Sequence, residues 1–580
     1  MARSHHSGSS DASHGDVPNA QRLRALGGAI DERAGVPSRR ARRRQRRASR
    51  RHSRARPWWI ALGVVGLVIV LVVAAGAGYV YYLNSKLHRV EVRNLTTGLT
   101  TGADAGTQNI LMIGSTSRCA LKVQNAAYGL CSAGVNGVNS DVIMILHLNP
   151  ATRAVSILSI PRDLFLPNAR SGPYPYGGYK IDAALYQGQS QLIKVIREDF
   201  GIGIQHSVEL NFDTFANVVN ALGGINMYFP MPVFDAYSGL NIPRAGCVHL
   251  DGYHALQVVR ARHLQYRPAS VTTPDHAYWP YELQSDLGRI NRDHEFLRVL
   301  ASSVSKQGLG NPLTDLRLVN SVAGQLEFDN AFTTSDMVHL LLTFHSAKIN
   351  SAPQLTIPVS VGPNTSYIYA GYPKGEIEFP ALVPDLHAID QFLQISPDTN
   401  TLTGQPLPRP SAVTVSVVNG SGVANAAATT LSALQALGFR GAGTGNTPVL
   451  ASQLETLVEY ASPATLGAAE AVAHSMTGAV TLMQAPTTNG AQVTVVTGTQ
   501  FAVNRPAPAR TTPATGATTP TSSASRGTSS GTTTPTVVSS ATSAAEAASA
   551  GFQPPSVSNP TLAPWDPRAC PPGMPVRTTP

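Results

Sequence analysis

After residue 105 the apolar positions fall into two rhythms. Residues 110–113, 142–148 and 155–160 are near-continuous apolar runs bounded by Gly, Asn and Pro, the pattern of strands buried on both faces. Apolar residues then recur at helical spacing over 189–200, 212–222, 288–306 and 334–346. This mixture predicts an α/β domain over residues 105–396. A Pro-rich linker, residues 397–410, leads into a second unit over 411–502. There, residues 413–418 read as a strand, Asn419-Gly420-Ser421-Gly422 as a turn, 424–437 as an Ala/Leu-rich helix closed by Gly438, and 493–496 as a final strand. These predict a small α/β domain.

Upstream, residues 58–83 form a 26-residue run without a charge. As a helix it would extend roughly 39 Å, enough for a hydrocarbon core of about 30 Å. Trp58 and Trp59 mark one end, and Tyr79, Tyr81 and Tyr82 the other, as aromatics do at membrane interfaces. The run predicts a single transmembrane helix. A cleaved signal sequence is the alternative, since Ala75-Gly76-Ala77 would suit a protease, but the run exceeds the usual length of such a signal.

Charge changes the picture at the N-terminus. The 580-residue chain carries a formal net charge of +10, yet residues 1–57 hold 15 Arg against 4 acidic residues and are +11 alone. The remainder is −1, so the basicity belongs to the tail and not to the folded body. Beside an apolar span, such a tail is a topology signal and an anionic-lipid contact. It places residues 1–57 in the cytoplasm and residues 84–580 outside, with 84–104 as a stem. Charged residues at 13%, with 50 Gly and 42 Pro, exclude a wholly compact cytosolic enzyme. The low-complexity part is residues 503–580, a Ser/Thr/Pro/Ala-rich stretch expected to be a disordered tail. Outside the membrane, thiols can oxidise. Cys119 and Cys131 are expected to form a bridge whose loop closure contributes roughly 3 kcal/mol, while Cys247 is expected to be buried and unpaired.

Gly-X-Ser-X-Gly, His-Glu-X-X-His and P-loop signatures are missing, and Gly441, Gly443 and Gly445 are too weak a pattern for a nucleotide site. Arginines beside turns stand out instead. Ser159-Ile160-Pro161-Arg162-Asp163 ends a buried strand on a charged pair. Val258-Val259-Arg260-Ala261-Arg262 puts two Arg on one face if the segment is extended. Asp286-Leu287-Gly288-Arg289 opens a helix with further charge. Guanidinium forks bind phosphate oxygens bidentately, so these segments fit either a phosphate site or ordinary Arg/Asp pairing at element ends.

Asn109-Ile110-Leu111-Met112-Ile113-Gly114, Asn139-Ser140-Asp141, the Ser159 to Asp163 segment, Lys180-Ile181-Asp182-Ala183-Ala184, Ala221-Leu222-Gly223-Gly224, Leu250-Asp251-Gly252, Val259-Arg260-Ala261-Arg262 and Asp286-Leu287-Gly288-Arg289 follow one another in an order that resembles the LytR-CpsA-Psr (LCP) family. Val417-Val418-Asn419-Gly420-Ser421-Gly422 similarly resembles the small LytR C-terminal domain. The resemblance implies an α/β/α sandwich with a mixed central sheet and an extracytoplasmic phosphotransferase. Such an enzyme moves a glycopolymer from a polyprenyl-pyrophosphate lipid onto peptidoglycan. It also implies residue roles. Arg162, Arg260, Arg262 and Arg289 would hold the pyrophosphate, and Asp163 and Asp286 would orient them. Lys180 and Arg118 would lie near the phosphates. Asp141 would help to hold Mg²⁺, with Thr116 supplying a neutral oxygen where family members carry Asp. Asn139 and Asp293 likewise replace an expected Arg and Gln. A wall-binding scaffold is the non-enzymatic alternative, favoured by Thr116; a membrane-bound transcription regulator would need the basic tail to bind DNA, for which it has no fold signature. No nucleic-acid partner is expected.

Overall fold

The computed structural model describes residues 78, 81–82, 84–98, 106–116, 119, 130–134, 137–169, 179–283, 285–306, 326–344, 352–361, 368–369, 372–373, 378–380, 385–447, 454–504 and 562–578. The chain divides into residues 1–82 and 83–580, and the description below concerns the second unit. The expected span, residues 58–83, lies almost wholly outside the described residues, as does Arg118. No described helix is long and apolar enough to cross a membrane.

The elements that build the site are β1 (His88–Val90), β2 (Gln108–Ser115), β3 (Ser140–Asn149), β4 (Ala154–Ser159), α1 (Gln189–Phe200), β5 (His206–Leu210), α2 (Phe212–Ala221), β6 (Ile225–Phe229), β7 (Gly246–Leu250), α3 (Gly252–Arg260), α4 (Ser285–Lys306), β8 (Glu327–Asp329), β9 (Gln354–Thr356) and α5 (Asp385–Leu393). Among the described residues, seven of these strands form one sheet in the order β1-β8-β5-β2-β3-β4-β9. It is mixed. β2, β3 and β4 pair antiparallel, while β2 with β5, β1 with β8 and β4 with β9 run parallel. Strand alternation sends Leu111, Ile113, Ile143, Ile145 and Leu158 to one face, where they pack with Leu192 and Ile196 of α1 and Ile389 and Phe392 of α5. Met112, Val142 and Met144 face a cavity also lined by α2, α3 and α4.

Local chemistry fixes where these helices begin and how closely they approach. Asn211 caps α2, accepting from the Thr214 amide while the Thr214 hydroxyl accepts from the Asn211 amide, a reciprocal capping box. Asp251 caps α3 by accepting from the His254 amide. Gly252 then lets α3 cross α2, since a Cβ there would fall on the Ala216 carbonyl.

In the C-terminal region, β10 (Thr414–Asn419), α6 (Ala426–Ala436), β11 (Arg440–Asn446), β12 (Thr456–Tyr460), α7 (Leu466–Ala473), β13 (Val480–Gln484) and β14 (Val493–Thr497) follow. The sheet order is β11-β10-β14-β12-β13, so the segment expected to end the domain lies at its centre. This C-terminal region packs on the α/β domain that precedes it: Tyr460 Oη donates to the Glu198 carbonyl at 2.9 Å, and one apolar core runs through Phe200, Ile202, Val458 and Leu482.

Three expectations change. Residues 258–262 are not extended: Arg260 ends α3, and Ala261 turns the chain out of the helix. The expected disordered tail includes two ordered strands, β15 (Arg568–Ala569) and β16 (Val576–Thr578), held on β6 and β7. Cys247 is buried as expected but is bonded to Cys570, while Cys119 is joined to Cys131.

Candidate active site

At the C-terminal end of β4, Pro161 turns the chain and Arg162 enters a chain of ion pairs. Its guanidinium meets Asp141 at the start of β3 and Asp182 Oδ2 at 2.6 Å, with Asp163 at 3.7 Å. Asp163 takes Lys180 Nζ and Arg262 Nη2, each at 2.8 Å. Arg262 Nε lies 3.2 Å from Asp286 Oδ1, which Arg289 Nη2 approaches at 2.9 Å. Arg289 Nε is 3.8 Å from Asp293. The Arg260 guanidinium lies over the Phe212 ring at 4.7 Å from the centroid.

The relay borders a cavity of about 400 Å³. Arg162, Arg260, Arg262, Arg289, Asp141, Asp293 and Thr116 all line it. Much of its remaining wall is apolar, with Phe215 and Val218 of α2, Leu256 and Val259 of α3 and Phe296 and Leu300 of α4 closing on Met112 and Met144 of the sheet. Guanidinium groups beside an apolar hollow suit an amphiphile with an anionic head and a hydrocarbon chain.

The sequence-predicted Arg residues therefore converge. Asp163 pairs with Arg162 and Arg262, and Asp286 with Arg262 and Arg289. The Lys180 ammonium is engaged by Asp163, the carboxylate that also pairs with Arg162 and Arg262, and Lys180 is not among the residues that line the cavity. Thr116 is 4% exposed, and its hydroxyl accepts from the Asn139 amide at 3.0 Å, tying the end of β2 to the approach to β3. Four residues without an assigned role also matter. Asp182 grips Arg162 from beneath. Arg292 donates to the Ala261 carbonyl at 2.6 Å, so it fixes the turn between Arg260 and Arg262. His294 Nε2 and Ser159 Oγ are hydrogen-bonded at 2.6 Å, tying α4 to the strand that presents Arg162. Glu378 is buried behind the relay, its amide donating to the Asp163 carbonyl. The carboxylates in this group are hard to recognise from sequence because a buried acid in an apolar run has no periodic signature.

Electrostatics divide these acids. Burial pushes Asp163 up, but Arg162, the Lys180 hydrogen bond and Arg262 outweigh it and hold the group below its ordinary value. Burial takes Asp182 up to about 6 despite Arg162. Glu378 rises to about 8 through burial and then repulsion from Asp286 and Asp163, which Arg262 and Arg289 oppose. Burial pushes Asp293 up to about 7, against Arg289 and Arg292. Below that pH Asp293 is neutral and leaves Arg289 to a ligand; above it, an anion competes for the same guanidinium. Affinity for a pyrophosphate substituted at both ends, which does not itself titrate near neutrality, is expected to fall several-fold between about pH 6 and about pH 8. Calorimetry across that range checks this, and Asp293→Asn should remove the part of the fall centred near pH 7, leaving whatever Asp182 and Glu378 contribute at its two ends.

The family model described as the LytR_cpsA_psr family matches residues 79–378, just over half of the chain. The chain belongs to the LytR-CpsA-Psr family. Residues 412–501 match a second model, described as LytR cell envelope-related transcriptional attenuator. A Corynebacterium glutamicum protein named probable cell wall biosynthesis protein LcpB is 32% identical over 316 residues, covering 54% of this chain and 65% of that protein. TagV of Bacillus subtilis, named as a polyisoprenyl-teichoic acid–peptidoglycan teichoic acid transferase, is 25% identical over 282 residues, covering 46% of this chain and 62% of TagV. Both matches thus span slightly less than two thirds of the relative's own length. Among solved structures, a LytR-Csp2A-Psr enzyme from Actinomyces oris is 23% identical with a TM-score of 0.40, over 53% of this chain and 96% of that one. In this LCP protein Arg162, Arg260, Arg262 and Arg289 all line the same cavity.

Proposed function

We propose that this LCP protein is a membrane-anchored phosphotransferase that moves a glycopolymer from a polyprenyl-pyrophosphate carrier to peptidoglycan. The observation that carries the reading is the cavity itself, where Arg162, Arg260, Arg262 and Arg289 meet a hollow lined by α2, α3 and α4. A polyprenyl chain would occupy the apolar part and leave the pyrophosphate at the arginines. The acceptor hydroxyl would attack the phosphorus beside the sugar, forming the polymer–peptidoglycan phosphodiester. Cleavage of the phosphoanhydride would release polyprenyl phosphate, which takes up the hydroxyl proton as it leaves. The arginines would stabilise charge developing on the phosphate oxygens, and Asp163 and Asp286 would hold their forks in register.

Mg²⁺ fits the donor chemistry. Asp141 and Thr116 offer hard oxygens on the same cavity wall, and such an ion keeps several water and phosphate ligands. No group of three or more His, Cys, Asp or Glu residues suited to a metal is present among the described residues. When bound, Mg²⁺ would neutralise pyrophosphate charge. With Thr116 replacing a carboxylate, Thr116→Asp is expected to lower the Mg²⁺ concentration needed for donor binding.

The test of the reading is binding of geranylgeranyl pyrophosphate against geranylgeraniol. The pyrophosphate should bind and the alcohol should not, whereas equal binding would remove the arginines from the account. The proposed topology follows from the +11 tail before the uncharged run. Protease added to cells stripped of their wall should digest residues 84–580, and complete protection of that region would overturn it.

A further inference from the structure

The segment 562–578 lies far along the chain from the arginines, yet it packs against the helix that carries one of them. β15 pairs antiparallel with β6, Arg568 opposite Tyr228, and β16 pairs parallel with β7, Val576 opposite Cys247. The segment thereby covers both edges of the β6–β7 ribbon, and the Cys247–Cys570 bond fastens it between those two contacts. Trp565 stacks on Tyr266, ring centroids 4.0 Å apart.

Asp566 is the chemically informative residue. It is 1% exposed, and its Oδ1 accepts from Arg292 Nη1 at 3.0 Å. Arg292 is fully buried on α4 and pairs with Glu282 through the same nitrogen at 2.5 Å. Its other terminal nitrogen donates to the Ala261 carbonyl, between Arg260 and Arg262. One turn further along α4, Glu295 Oε1 accepts from the Ala569 amide at 3.2 Å. Asp566 thus reaches the Arg260-Ala261-Arg262 turn through a single buried guanidinium. A buried guanidinium depends on its full set of partners, because an incomplete set leaves charge in a low-dielectric site.

We infer that Asp566 is a positioning residue for pyrophosphate binding: the disulfide-anchored segment 562–578 presents it to Arg292, which sets the turn carrying Arg260 and Arg262. This rests on the transferase reading for its consequence in catalysis, though not for the coupling itself. The C-terminal end of the chain would then form part of the active-site framework instead of a spacer.

The experiment compares the full chain in its oxidised form with Asp566→Asn and Cys570→Ser. Each is measured for binding of geranylgeranyl pyrophosphate, for hydrogen exchange over residues 258–264 and 411–502, and for melting temperature. Asp566→Asn should weaken probe binding about tenfold and accelerate exchange at 258–264, leaving 411–502 unchanged. Cys570→Ser keeps the Asp566 carboxylate but frees its anchor, so it should show the same exchange change with a smaller loss of affinity. If Asp566→Asn does not fold, Cys570→Ser decides the matter by the same two readouts. Folded variants with wild-type affinity and wild-type exchange at 258–264 would overturn the inference. A general loss of melting temperature with exchange raised equally at 411–502 would also overturn it, since that pattern marks a merely structural role. If the wild-type chain binds no probe, the transferase reading fails, and exchange at 258–264 alone decides the coupling.

Discussion

Arg262→Ala is expected to lower polymer transfer about 10-fold to about 150-fold while barely moving the melting temperature. A charge-assisted contact to phosphate is worth roughly 1.5 to 3 kcal/mol, which converts to that range. Arg262 separates catalysis from stability better than its neighbours, because both its carboxylates keep another cation when it is removed: Lys180 remains on Asp163, and Arg289 remains on Asp286. Arg162→Ala lacks this property. It would strip Asp141 and Asp182 of the guanidinium they share, so its activity loss would include misfolding. Arg262→Lys should recover only part of the activity, since an ammonium cannot span phosphate oxygens as a planar fork does. Kinetics with thermal melts check the prediction. A loss of activity that merely tracks the folded fraction would return these pairs to an architectural role.

Val218→Trp is expected to produce the second large effect, by filling the apolar part of the cavity. Val218 is half-buried on α2 and lines the hollow, so an indole there would take space from the hydrocarbon chain. At about 0.8 kcal/mol per buried methylene, excluding most of one isoprene unit costs about 3 kcal/mol, or roughly 150-fold in affinity. The loss should fall on long-chain donors and spare a short-chain pyrophosphate. Binding measured for both donors distinguishes cavity filling from damage to the arginines, which would weaken both alike.

The main sheet was readable because β2, β3 and β4 are buried on both faces and their sequences are nearly unbroken apolar runs. α3 was not. Val258 and Val259 are β-branched and the arginines sit two apart, a pattern that suits a strand, whereas the cap at Asp251 and the crossing at Gly252 make a helix. Arg162, Arg260, Arg262 and Arg289 were legible through motif order, but the ion-pair relay through Arg162, Arg262 and Arg289 was not, since it depends on side chains from separate elements meeting at one corner. The cavity was equally hidden, because Met112, Phe215 and Leu300 each read as ordinary core in their own segments. The Cys247–Cys570 pair lay furthest from sequence reasoning. Its partners are 323 residues apart, and the approach to Cys570 runs through a Ser/Thr/Pro-rich stretch that gives no sign of returning to the fold.

The most direct test of the central claim supplies the full-length protein in lipid with a polyprenyl-pyrophosphate-linked glycopolymer, peptidoglycan and Mg²⁺, and follows the phosphorus by NMR. One new phosphodiester on peptidoglycan is expected for each polyprenyl phosphate released. Tight binding of the donor, with its pyrophosphate intact and no phosphodiester formed by the wild-type chain, would contradict it and leave a scaffold that holds the lipid-linked polymer.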